Sequence, residues 1–482
     1  MTFQYLDWFI VLGYVFAIFL LAWRASLSEK SGSLSTRDEI ARDQYLAGKS
    51  LTFTESICSI IATEVSALTF LGIPAFAFNS NFSFIQIYIG AIFGRLIIAL
   101  VFLPKVYDQG LTIYEIMAKR TGLPSGQKTV ASIYTLSKIL SVGVRLFSGS
   151  ILVANFMDVS VYAGLAIVTF ITFIYTLIGG LKAVVRTDIL QMGLFILGGL
   201  IAHYLIPNEA KMSWSEMMGM AHAAGKTSFF DLSNPLPFII GIMGGVLFDM
   251  STHGVDQDFA QRLIANRSLR SAQNAIFFSS FISIFVGLLF LGVGALLWSF
   301  YQSHPMPLEV ENADQLFSYF IVHYFPVGIK GLMVAGVMAA TMSTLDSTIN
   351  ALCATLYNDI LPNRNELNIK YYSYLDNLCI TILLFAVAVI ASKNEGLLLL
   401  GLKIQSWTGG ALLGLFLTKV IFPQSFPYKL SPESVLGAYL FGVLGVYTNT
   451  YVLKWDWNLN VYWGCFASLI FIKIYSKLRP LS

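Results

Sequence analysis

The sequence predicts an all-α polytopic membrane protein with about 13 transmembrane helices, and three observations carry that expectation. Of 482 residues 56% are hydrophobic and only 12% charged, with a mean hydropathy of +0.70. Soluble domains carry about 25% charged residues. The apolar residues fall in runs of roughly 20, long enough to cross a hydrocarbon core of about 30 Å as helices. Two of these runs are interrupted at matching positions, which points to a core of two inverted halves.

The expected spans are 6–24, 53–79, 83–104, 128–155, 161–178, 187–206, 237–254, 272–300, 331–358, 371–391, 397–419, 433–450 and 459–477. Residues 1–10 contain Asp7 and no basic residue. They lack the positive n-region of a signal peptide, so the first span is expected to be retained. Roughly 21 of the 30 Lys and Arg fall on one set of alternating loops and ends, and about five on the other. The positive-inside rule then sets the N-terminus outside and the C-terminus inside a cytoplasmic (inner) membrane.

The second run, residues 59–78, reads SIIATEVSALTFLGIPAFAF, with Glu64 inside it and Gly72 and Pro74 beyond. The seventh, around 234–259, holds Pro235, Pro237, Gly241, Gly244, Gly245 and Gly254. Both are poor continuous helices, although Gly and Pro kinks are also tolerated in membrane packing. Each opens a set of five spans, and an odd number inverts the second set. The expected organisation is an extra helix and loop (1–52), a first repeat (53–206), a loop (207–236), a second repeat (237–419) and two C-terminal helices with a short tail (420–482).

The ninth run holds a small, hydroxylated cluster, in which Ala340, Ser343, Thr344 and Ser347 fall within about 100° on a helix. Such a stripe serves either as packing between helices or as oxygen ligands for a hard monovalent cation. Cys58, Cys353, Cys379 and Cys465 sit in apolar runs without CxxC spacing and read as small buried hydrophobes. The five histidines form no metal-ligand spacing. No nucleophile–base pair or phosphate loop is present, which argues against an enzyme. A formal charge of only +3 argues against a nucleic-acid partner. The tail after Tyr475 is too short for a signalling domain, so a sensor is not expected either.

Four blocks in order resemble the sodium/solute symporter family over roughly residues 5–477. They are SIIATEVSALTFLG (59–72), GGLKAVVRTDILQ (179–191), GVDQDFAQR (254–262) followed by residues 265–269, which resembles a loop of the family, and AATMSTLDS (339–347). The resemblance implies a five-plus-five inverted-repeat core with two broken helices and alternating access around a central site. It implies symport of Na⁺ with a small solute such as a sugar, proline, a sialic acid or a monocarboxylate, and a protein expected to work as a monomer in the lipid bilayer. The implied sodium ligands are the carbonyls of Ala62, Val65 and Ala340 and the hydroxyls of Ser343 and Thr344. Asp188, with Ser347, matches a second sodium position or the release path; alternatively Asp188 is a capping aspartate paired with Arg186 or Lys182.

Ionisable groups within spans cost about 2.5–3.5 kcal/mol each on insertion scales, so each needs a partner. Glu64, Arg95, Lys138, Arg145, Asp249 and Lys403 are such groups. The resemblance directs Glu64, Ser66, Thr69, Arg145, Asp249 and Gln405 at the solute. Arg145 either clamps a solute carboxylate or is neutralised by Glu64 or Asp249. Glu64 and Asp249 depart from the neutral residues of sugar carriers, which favours a carboxylate-bearing solute such as a sugar acid. A sugar, polyol or proline-like solute is the alternative, as is a proton-coupled cycle on Glu64 or Asp249. Lys138 is expected to snorkel to the inner face, and Arg95 and Lys403 to be structural.

Overall fold

A computed structural model describes residues 3–27, 36–121, 124–231, 233–307, 312–362, 369–391, 397–425 and 431–478. In chain order the α-helices are α1 (Tyr5–Leu27), α2 (Arg37–Leu46), α3 (Phe53–Glu64), α4 (Ala67–Asn79), α5 (Ile85–Ile97), α6 (Leu103–Val106) and α7 (Ile113–Thr121). Next come α8 (Pro124–Met157), α9 (Val161–Ala210), α10 (Trp214–Ala223), α11 (Leu236–Val255), α12 (Gln257–Ile264) and α13 (Leu269–Ser303). The chain ends with α14 (Leu316–Tyr324), α15 (Ile329–Thr355), α16 (Ile369–Ala391), α17 (Leu397–Phe416), α18 (Pro432–Tyr447) and α19 (Asn460–Leu478). Among the described residues ten helices are long and apolar enough to cross a membrane, or eleven with the bent pair α3–α4. The 50-residue α9 counts once there, although Gly179 and Gly180 leave helical geometry within it and divide it near the expected boundary.

The break between α3 and α4 follows from local chemistry. Thr52 and Glu55 form a capping box that starts α3. At Val65 the backbone turns extended (φ −79°, ψ 120°), and α4 leaves at 62° to α3. The Ser66 amide donates to the Thr69 hydroxyl (3.2 Å), and the Thr69 amide to the Ser66 carbonyl (2.9 Å). The amides that a continuous helix would turn toward Ala62 and Val65 are thus engaged elsewhere, which bares those two carbonyls.

The second interruption falls near the C-terminal end of the expected stretch, 234–259, and not at its Pro and Gly residues. Helix α11 runs unbroken through Pro237 and all four glycines and stops only at Asp256, an extended residue that also caps α12. The glycines serve close packing instead. A Cβ on Gly90 would lie 2.2 Å from the Ile242 carbonyl, and one on Gly245 would lie 2.3 Å from that of Ile87, so α5 and α11 cross backbone to backbone. The segment after Gly254, expected as a loop, is the helix α12, and all eight of its residues are buried.

Helix α15 is the buried axis of the bundle, flanked by α1, α3, α8 and α9. Its N-terminus is capped from another helix, since buried Asp7 on α1 accepts from the Gly328 and Gly331 amides, both at 2.8 Å. Cys58, Cys353 and Cys465 are buried free thiols as expected. Cys379 is exposed, because α16 turns that face away from the bundle.

Candidate functional site

Glu64 and Ser66, on either side of the break at Val65, line a cavity of 120 Å³. Glu64, Ser66, Thr69, Arg145, Asp249 and Gln405 all line it, so the six residues expected to face a solute come together from α3, α4, α8, α11 and α17. Tyr88, Phe248, Phe259 and Trp457 supply apolar wall. Few polar groups in a largely apolar concavity suit a small organic ligand.

The charges pair differently from the sequence expectation. Arg95, fully buried on α5, lies 2.8 Å from Glu64 and 3.1 Å from Asp249. It also donates to Ser279 (2.7 Å) and Ser283 (3.1 Å), and Ser283 donates to Glu64 (2.6 Å). His253 completes the network, with Nδ1 2.9 Å from Asp249 and Nε2 3.2 Å from an Arg95 nitrogen. Neither carboxylate is left to neutralise Arg145. Arg145 donates to Gln405 Oε1, while its buried Nε has no hydrogen-bond partner.

Behind the break, α3 meets the hydroxylated stripe of α15. Thr63 and Ser347 hydroxyls stand 3.1 Å apart. Ser343 donates to Asp188 (2.7 Å), and Thr344 donates to the Ala340 carbonyl (3.1 Å). Both hydroxyl protons are engaged, so each hydroxyl oxygen keeps lone pairs, and the carbonyls of Ala62, Val65 and Ala340 are the further neutral oxygens that the sequence puts forward as candidate donors. Such a set suits a hard monovalent cation. Among the described residues no group of three or more His, Cys, Asp or Glu is placed to hold a metal ion.

Asp188 also accepts from Ser59 (2.5 Å), and its cation is Arg262 on α12 at 3.5 Å. The expected partners are elsewhere: Lys182 pairs with Asp43 at 3.0 Å, and no ion pair to Arg186 occurs among the described residues. Arg262 further holds Ser59 (2.7 Å), Ser347 and Asp258 (3.0 Å). Sequence reading missed it because the flanking residues resembled a cytoplasmic loop. The available signal was the strong amphipathic pattern of residues 257–264. Lys138 does not snorkel. It is 8% exposed and pairs with Asp256 (2.7 Å) and Asp258 (3.1 Å). The Lys403 side chain lies outside the described residues.

A family model described as the sodium:solute symporter family matches residues 44–425. The human sodium-coupled monocarboxylate transporter 2 is 27% identical over 417 residues, which span 84% of this chain and 66%, just under two thirds, of that transporter. The sodium/sialic acid symporter NanT of Aliivibrio fischeri is 24% identical, with 83% of each chain covered. A Na⁺-coupled sialic acid symporter, solved in a substrate-bound outward-open state, superposes with a TM-score of 0.85 at 21% identity over 99% of this chain and 98% of that one. That likeness establishes the all-helical, inverted-repeat membrane fold.

Proposed function

This chain belongs to the sodium:solute symporter family, and from that premise we propose that it couples sodium entry to the uptake of a small carboxylate-bearing solute. One observation carries the choice of solute. Arg145 lines the cavity with an unpartnered buried Nε, while the carboxylates that could have neutralised it are held by Arg95. A planar guanidinium matches a carboxylate bidentately. The cavity, at 120 Å³, lies below the roughly 300 Å³ of drug-sized pockets, which favours an acid smaller than sialic acid.

Sodium is the driving cargo in this reading. The carbonyls of Ala62, Val65 and Ala340 and the hydroxyls of Ser343 and Thr344 take it between the α3 break and α15. The contact between Thr63 and Ser347 supports that pairing of helices. Sodium there favours the conformation that opens the cavity outward, and solute on Arg145, Gln405, Ser66, Thr69 and the Glu64–Asp249 side then closes it. Asp188 and Ser347 lie on the release route toward Arg262. One sodium carried with one carboxylate anion moves no net charge, so at that ratio the sodium concentration gradient is the driving force; each further sodium per cycle moves one elementary charge and across about 100 mV adds ~2.3 kcal/mol. The protein sits in the cytoplasmic membrane with the N-terminus outside, the C-terminus inside and residues 53–206 and 237–419 as the two repeats, and it works as a monomer. A proton-driven cycle on Glu64 or Asp249 is disfavoured because Arg95 already holds both.

The test is a thermal-shift screen of purified protein against carboxylates, sugar acids, sugars and amino acids, in sodium and in choline. A carboxylate that stabilises only with sodium is the expected result. Stabilisation by a neutral sugar alone, or equally in choline, overturns the reading.

A further inference from the structure

The solute cavity has a smaller neighbour. A space of 30 Å³ shares Thr252 and Gln405 with it and is lined further by Ser141, Lys138, Asp256 and Thr408. On α8 the residues Tyr134, Lys138, Ser141 and Arg145 recur at steps of three and four, so they lie on one face of the helix. Tyr134, Lys138 and Ser141 are all buried. Arg145 heads this polar face at the solute cavity, and Lys138 lies about 10 Å further along the axis.

Lys138 is held by the residue that forms the second helix break. Its ammonium donates to Asp256 Oδ2 at 2.7 Å, and Tyr134 donates to the other Asp256 oxygen at 2.8 Å. Asp256 is extended and joins α11 to α12, so any change of angle between those helices moves its carboxylate. Asp258, 3.1 Å from Lys138, belongs to α12 itself.

We infer that the smaller cavity is a second station for the solute, where its carboxylate takes the place of Asp256 on Lys138 as the α11–α12 break moves. The exchange is carboxylate for carboxylate on one ammonium, with Asp258 retained, so Lys138 is never left unpaired within the span. At 30 Å³ the space admits a water or two, and the station fills only as Asp256 withdraws. Gln405, bonded to Arg145 and lining both cavities, stands at the passage between them. The inference rests on the reading of Arg145 as a carboxylate clamp.

The test uses the full chain in proteoliposomes, with labelled lactate, glucuronate and sialic acid offered in turn. Sodium-dependent binding and solute counterflow are read separately. K138Q is expected to slow counterflow about tenfold more than it weakens binding, and K138R to retain exchange. D256N removes the competing carboxylate and is expected to act in the opposite sense on binding, tightening it while slowing release. A merely structural pair predicts instead that both variants weaken binding alike and that K138Q with D256N together recovers exchange; that pattern overturns the station. Should K138Q fail to insert, the direction of the D256N effect on binding decides alone. A wild type that exchanges a probe, with K138Q exchanging it equally well, defeats the station and leaves the carboxylate reading standing. A wild type that binds none of the three acids with sodium defeats both.

Discussion

Glu64 and Arg95, 31 positions apart on α3 and α5, meet at 2.8 Å, and the same guanidinium lies 3.1 Å from Asp249. Arg95 holds both Glu64 and Asp249, so neither pairs with Arg145, whose buried Nε has no hydrogen-bond partner; under the proposed function that guanidinium takes the solute carboxylate.

Removing Arg95 leaves two carboxylates within the span without their cation. R95Q is expected to destabilise the protein by about 3–5 kcal/mol, read as a lowered melting temperature or loss of folded yield. E64Q, which keeps an acceptor for Ser283 and Arg95, is expected to cost less. Equal stability of R95Q and wild type would mean that the network is not formed.

Substituting Arg145 acts on the ligand more than on the fold. R145Q is expected to weaken binding of a carboxylate solute about 10- to 100-fold, with sodium binding retained. R145K is expected to recover only part, because an ammonium lacks the planar fork. Titration calorimetry or ligand-induced thermal shift checks both, and unchanged affinity in R145Q removes Arg145 from the site.

The hydroxylated stripe is tested by Ser343→Ala combined with Thr344→Ala. Sodium-stimulated uptake is expected to vanish while the protein still inserts, as judged by monodisperse purification. Sodium-dependent uptake that survives the double change rejects the proposed ligands.

Asp7 offers a test far from the cavity. Its carboxylate caps α15 across a helix interface through Gly328 and Gly331, so D7A is expected to cost about 1–2 kcal/mol and lower the melting temperature. D7N, which keeps an acceptor, is expected to lose less. A melting curve for D7A that overlays the wild type counts against a role for that cap.

Much of this protein is legible in its sequence by itself, because a bilayer constrains local composition. Apolar runs of membrane-crossing length, the Glu64–Val65–Ser66 interruption, the stripe from Ala340 to Ser347 and the six cavity residues all follow from residue types at helical spacing or from family blocks. The partner of each charge does not. Arg95 could have been lipid-anchoring, Arg145 could have paired with Asp249, and Asp188 could have taken its near neighbour Lys182. Tertiary structure gives Asp249 to Arg95, Asp188 to Arg262 and Lys138 to Asp256. Ion pairing joins residues more than 70 positions apart in each case, and nothing in a local pattern ranks one buried carboxylate over another for a given cation. Only the packing of the helices, set by contacts such as Gly90 against α11, determines which of them lie within reach.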